Sequence, residues 1–457
     1  MNFAQNFLHH SIRLLILVAL SSFCRLESTP TQSSGISQEL VHYENNVTEL
    51  KLNNGMKVVL KKTDFDPGET FIQLVAPGGY SELEKKDRPS GMLSSKIAIE
   101  SGMTHNSSSE FAYSLYEYGI DLRVSVEKTY RFIDATLPKE SIDEVLRISA
   151  FILRENKLTA DALQTVVERE KSIIRDRHLD PEKNFEMNYF ALNTENSKDL
   201  RPLSLKGANS VDLEKARALF KQYFSNPEDF ILVIVGDFEI DSVKDSILKY
   251  FGNLENDSNI KGSYAIKEVE FPNGIVRKNV SSRRSTDAYT RITFPVSVDF
   301  TFEGVNTLEL TTLLLEKRLR KIITAETGKT FGVDVGYELP LYPYHKTIWL
   351  SIQFHSPKNK TEDIEKHILK ELAKFQEKPV SQDEFDEIVR HQRYNDDFWL
   401  QNNPYWQAKL VNFGLWGWDL SLLRQDNPYL KKLSPQDIQQ FLYHFVPLDN
   451  YTVITSS

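Results

Sequence analysis

The chain has 457 residues, 40% hydrophobic and 26% charged, the balance of an ordinary globular protein with room for two or three domains. A formal net charge of -9 argues against nucleic acid or an anionic membrane as the main partner. There is no run of about 18 apolar residues, so no membrane span is expected.

The first elements read as an export leader. Arg13 precedes the apolar stretch Leu14–Cys24, which has signal-peptide length, with small-residue cleavage sites at Ser21-Ser22 or near Ser28. Residues 1–28 are therefore expected to be a signal peptide and 29–46 a polar N-terminal segment, with the mature protein in the periplasm or extracellular. Cys24 is the sole cysteine; it is either lipidated or removed, and removal excludes disulfides and cysteine chemistry.

Beyond the leader, Val47–Leu60 alternates around Asn53-Asn54-Gly55, a hairpin signal, and Thr70–Ala76 reads as a strand. Helices are expected at Ser90–Ser101 and Ser108–Tyr118, then a second hairpin over Ile120–Pro138. Ser141 and Glu144 form a capping-box pattern ahead of an apolar-faced helix. Helices follow at Ala160–Arg177, Pro181–Asn193 and Leu213–Phe224, then the strand Phe230–Val235 and a helix over Ile240–Leu254. The polar stretch Glu255–Gly262 marks a linker, taken as residues 255–270.

The same order recurs beyond Phe271. A hairpin (Gly274–Val280 with Thr286–Val298) precedes a helix over Val305–Thr324, paired strands (Thr330–Leu339 and Thr347–His355) and helices from Thr361, Ser381 and Ser434. Leu219–Phe224, Pro227 and Asp229 before one strand are echoed by Phe441–Phe445, Pro447 and Asp449 before Tyr451–Ile454. The fold class expected is α+β: two tandem domains, 47–254 and 271–457, each a mixed or antiparallel sheet covered by helices.

Leu50–Leu60, Phe71–Ser81, Lys85–Pro89 and Ser90–Gly102, in this order, resemble the start of an insulinase/pitrilysin-family metallopeptidase domain. The tandem repeat most resembles the non-catalytic second half of the long bacterial members. The resemblance implies a zinc motif H-x-x-E-H on the Ser90–Gly102 helix, two His holding the ion and Glu acting as general base. In register, those places hold Ser94, Ile97 and Ala98. The family's third ligand, a Glu on a later helix, falls at Arg177, or at Asp176 if the register slips by one. A substrate-binding Arg and Tyr of the second domain fall at Thr324 and Phe331.

None of the ten histidines forms H-x-x-E-H, H-E-x-x-H or an i,i+4 pair on a helix. Catalytic and metal residues are therefore expected to be none, with no cofactor. Gly328-Lys329-Thr330 is no phosphate loop, because Ile323 stands where its first Gly belongs. Four tryptophans within 399–418 suggest either a peptide or glycan groove or, by default for large rings, helices packed against the second sheet.

The leader implies export, and the resemblance with its substituted motif implies a catalytically inactive homologue. It would act as a binding or assembly subunit for a catalytic insulinase-family chain, as a homo- or heterodimer partner, or for extended peptides docked along Thr330, Phe331, Gly332 and Val333. The alternatives are an active zinc-dependent endopeptidase with an unrecognised site, the one reading that calls for zinc, and a solitary peptide-binding protein.

Overall fold

The computed structural model describes residues 35–456 apart from 106, 156, 178, 199, 258–268, 282–286, 328–331, 345–347, 424–426 and 428. The first unit opens with β1 (Ile36–His42), β2 (Val47–Leu52), β3 (Lys57–Lys62) and β4 (Glu69–Pro77). β1 lies inside the stretch read as a polar segment and pairs antiparallel with β2. Gly55 closes the β2–β3 turn at φ +92°, a left-handed conformation that suits glycine. Next come α1 (Arg88–Glu100), α2 (Ser108–Glu117), β5 (Asp121–Val126), β6 (Tyr130–Pro138), α3 (Ile142–Arg154) and α4 (Ala160–Asp176). α5 (Pro181–Asn193), α6 (Leu205–Ala208), α7 (Leu213–Phe224), β7 (Ile231–Gly236) and α8 (Ile240–Phe251) complete the unit.

The second unit runs β8 (Ile275–Val280), β9 (Asp287–Val296), α9 (Phe302–Thr327), β10 (Val333–Glu338), β11 (Ile348–Pro357) and α10 (Thr361–Glu377). It ends with α11 (Gln382–Trp399), α12 (Asn403–Trp416), α13 (Pro435–Phe445) and β12 (Tyr451–Ser456).

Among the described residues the first sheet has the order β1-β2-β3-β7-β4-β6-β5 and the second β10-β11-β9-β12-β8. Read from the other edge, the second sheet repeats β3-β7-β4-β6-β5 strand for strand. β7 and β12 each run parallel to one neighbour and antiparallel to the other. β8 and β9 therefore do not form the expected hairpin: β12, arriving from the far end of the chain, lies between them.

Alternation along each strand explains the layers. Leu232 and Ile234 of β7 face the first core with Val58, Leu60, Ile72 and Leu74, under α1, α3 and α7. Ile231, Val233 and Val235 face the opposite side, so β7 is buried throughout. That second face is covered by α12 of the other unit, through Trp406, Leu410, Val411 and Phe413. The exchange is reciprocal: α5 of the first unit lays Phe185 and Tyr189 on Val280, Trp349 and Ile454 of the second sheet. Trp406 thus packs on the first sheet rather than the second, while Trp416 and Trp418 close on Phe300.

Local chemistry starts and stops these two exchanged helices. Asp180 accepts from the backbone N–H of Glu182 and Lys183 with Pro181 in the first turn of α5. Asn402 accepts from Tyr405 N to open α12, and Gly417 ends it in the left-handed region. The capping box expected at Ser141 is absent. That residue lies in a 3-10 turn, and its hydroxyl donates to the Tyr118 carbonyl at 2.7 Å. Ser434 and Asp437 do form a reciprocal box at the start of α13.

Candidate functional site

α1 presents positions 94, 97 and 98 on one face, the i, i+3, i+4 spacing that a helix-borne metal site requires. All three point into the protein. Ile97 and Ala98 belong to the first hydrophobic core, and Ser94 is fully buried with its hydroxyl donating to the Gly91 carbonyl at 2.8 Å. The Ser94 oxygen is thereby tied to its own helix, and the other two side chains carry no donor atom.

The facing helix α4 supplies an acid. Its buried stripe is Ala162, Val166, Glu170 and Ile174, a four-residue period in which Glu170 is the charged member. Glu170 meets Lys96 of α1, with Nζ and Oε1 2.5 Å apart. The pair escaped the sequence reading, although an acid on an apolar stripe was a visible signal. Two helical turns further on, Arg177 caps the end of α4 and donates from Nη1 to the Leu203 carbonyl at 3.2 Å. Its charge and that of Arg88 partly offset the upward push on the Tyr80 phenol, which burial and then Glu127 produce.

A zinc ion needs imidazole or carboxylate ligands that converge on one point. Here the converging face offers an alkyl core, a committed serine and an acid already matched by a lysine. Among the described residues no group of three or more His, Cys, Asp or Glu could hold a metal. The residues at this face do not fit zinc.

In the second unit Thr324 sits half-buried near the end of α9. Thr330 and Phe331 lie outside the described residues. Gly332 precedes β10, whose first residue Val333 is buried; β10 forms the edge of the second sheet and pairs with β11 alone among the described strands.

Several side chains stitch the two units together. Thr63 donates to Asn403 at 2.6 Å and Gln407 to Asp134 at 3.2 Å. Thr129 also donates to the Tyr342 carbonyl. Glu82 lies near this seam. Burial pushes its carboxyl up to about 7, against the pull of the Gly79 backbone N–H and the Arg131 charge.

Two tandem sheets built to one strand plan, with the helix face at 94, 97 and 98 closed over by core, make this chain similar to the insulinase/pitrilysin (M16) metallopeptidases. Residues 210–391, from just before α7 into α11, match the family description "peptidase M16 inactive domain". A zinc protease PQQL-like protein of Arabidopsis thaliana is 24% identical over 440 residues, covering 90% of this chain and 43% of the relative. The chain spans less than half the length of the curated relatives it matches. Among solved structures, the periplasmic protease PqqL from Escherichia coli superposes with a TM-score of 0.75 at 16% identity, over 92% of this chain and 46% of that one. A peptidase M16 inactive domain from Pseudomonas fluorescens gives 0.71 at 14% identity, over 90% and 97%. These structural likenesses establish the fold, which is that of the M16 proteins.

Proposed function

We propose that this chain is a catalytically silent M16-type subunit, exported from the cytoplasm, that binds a catalytic insulinase-family chain and the extended peptides such a chain handles. The observation that carries the reading is the α1 face: Ser94, Ile97 and Ala98 are core, and Glu170 is matched by Lys96. Ionising a water molecule at neutral pH needs a bound cation, and this face has nothing to hold one. Export rests on the Arg13 and Leu14–Cys24 leader pattern, and a relative of the same fold is named as periplasmic.

The curated relatives carry roughly as much chain again as this one. The edge strand β10 gives an incoming peptide a row of main-chain donors and acceptors.

The test is direct. Purified protein is expected to hold no stoichiometric zinc and to leave unstructured peptides uncut, with or without added zinc. Stoichiometric zinc with chelator-sensitive cleavage would sink the reading in favour of an active endopeptidase. Pull-down from the native host is expected to recover an M16 chain with an intact H-x-x-E-H. Recovery of peptides alone would instead mark a solitary peptide-binding protein.

A further inference from the structure

A cavity of about 400 Å³ lies between α9, α11 and α12, remote in sequence from the α1 face. Its wall carries Glu309 from α9, Tyr337 from β10, Asp396 and Trp399 from α11, and Tyr405 and Lys409 from α12. The two acids are weakly served. Glu309 accepts from the Tyr337 hydroxyl at 3.3 Å, and Asp396 accepts from Gln392 Nε2 at 3.0 Å. Lys409, the cation whose field both acids feel, donates instead to the Tyr405 hydroxyl at 3.2 Å and lies 5.2 Å from that ring's centre.

When ionised, the two acids outnumber the one ammonium, and they stand in a partly dehydrated setting. Burial raises both carboxyls, while Lys409 pulls each back. The structure therefore keeps acids where their charge is costly, between aromatic faces. Trp399 stacks on Tyr405 with ring centres 6.2 Å apart.

The rim is also out of character for a solvated helix. α11 turns Tyr394, Phe398 and Trp399 outward, 71%, 62% and 47% exposed. Tyr394 and Phe398 fall at i and i+4 on one face, and the Phe398 and Trp399 rings lie 5.2 Å apart, so the apolar ridge runs from a face where an amphipathic helix usually places charge round to the cavity. Asp397 is exposed within the ridge, extending the negative character to the surface.

We propose that this cavity recognises a cationic side chain, arginine or lysine, presented by a polypeptide segment that packs along the Tyr394–Trp399 ridge. The aliphatic stem would lie along the stacked Trp399 and Tyr405 rings, and the charged head would meet Glu309 and Asp396. Charge complementarity selects a basic occupant, and the aromatic walls favour one whose cation can stack. The site does not depend on whether the chain is catalytic.

The probe is acetyl-arginine-amide, titrated calorimetrically into the full chain, with acetyl-citrulline-amide as the neutral isostere and acetyl-lysine-amide as the ammonium arm. Saturable binding of the arginine probe is expected, at least about 10-fold tighter than citrulline. The Glu309→Gln, Asp396→Asn double variant should lose at least about 10-fold with its cooperative unfolding kept. Lys409→Met, which removes the resident competitor, should bind about 3-fold or more tighter. Wild-type binding should also strengthen from pH 5 to pH 8 as the acids ionise. Tighter binding of the lysine probe supports the site with an ammonium occupant. Equal binding of arginine and citrulline, no saturable binding, or weaker binding by Lys409→Met would overturn the proposal.

Discussion

Lys96 and Glu170 meet across α1 and α4 at 2.5 Å, and this contact takes up the acid that the family's helix pair could have turned toward a metal. Lys96 is about half exposed and Glu170 is almost fully buried. The pair therefore keeps its ammonium toward water and its acid in the interior.

Removing the lysine leaves the acid buried without its counter-charge. Lys96→Met should cost about 1–2 kcal/mol, reduced from the buried-pair range because the ammonium is half solvated. Chemical denaturation reads the loss. The same variant should still take up no zinc, since Ser94, Ile97 and Ala98 add no ligands; metal uptake on removing Lys96 alone would contradict that account.

The exchanged helices make a second expectation. Trp406 of α12 is buried, donates from Nε1 to the Leu400 carbonyl at 2.7 Å and carries Lys61 Nζ 4.1 Å above its ring. Trp406→Ala should cost about 3–5 kcal/mol, the range for emptying a large core site. A loss under about 1 kcal/mol would mean that α12 does not hold the first sheet as described.

The reciprocal contact is tested at Tyr189 of α5, whose hydroxyl lies 3.1 Å from both Glu338 and Ser351. Tyr189→Phe keeps the ring on Trp349 and leaves those partners short of a bond, at about 1–2 kcal/mol. Because the two contacts sit on different sheets, its cost and that of Trp406→Ala should add in the double variant within about 0.5 kcal/mol. A larger coupling would show that the two sheets respond as one.

How much of this was written in the sequence follows from the range of the signals. Pro181–Asn193 and Leu213–Phe224 have the bounds read from caps and periodicity, because those signals are local. The placing of β12 between β8 and β9 was not legible, since alternation marks a strand without naming its neighbours. The same limit hid which sheet Trp406 covers. Ser141 and Glu144 had the spacing of a capping box, yet the Tyr118 carbonyl claimed the hydroxyl first. At the α1 face, Ser94, Ile97 and Ala98 were legible by register alone, whereas Lys96–Glu170 needed two helices brought together. Glu309, Asp396 and Lys409 each look like ordinary helix charges until three helices enclose them.

Glu82 gives a pH test with a definite sign. Its carboxyl is raised from the ordinary 4.5 to about 7, first by burial, and one of its oxygens is buried with no hydrogen-bond partner among the described residues. The folded protein therefore holds this proton more tightly than the unfolded chain. Below pH 4.5 both states are protonated and Glu82 costs nothing. As pH rises from 4.5 to 7 the unfolded chain releases a proton that the folded state still holds, so stability falls over that window and levels off above it. Discounted for partial access to solvent, the penalty above pH 7 is roughly 1–2 kcal/mol. Glu82→Gln removes the titration and keeps the shape. It should be more stable than wild type by that amount at pH 8 and equal to it at pH 4.5, measured by urea unfolding at each pH. A difference that stays constant between those two conditions would show that the carboxyl is not held up by its surroundings.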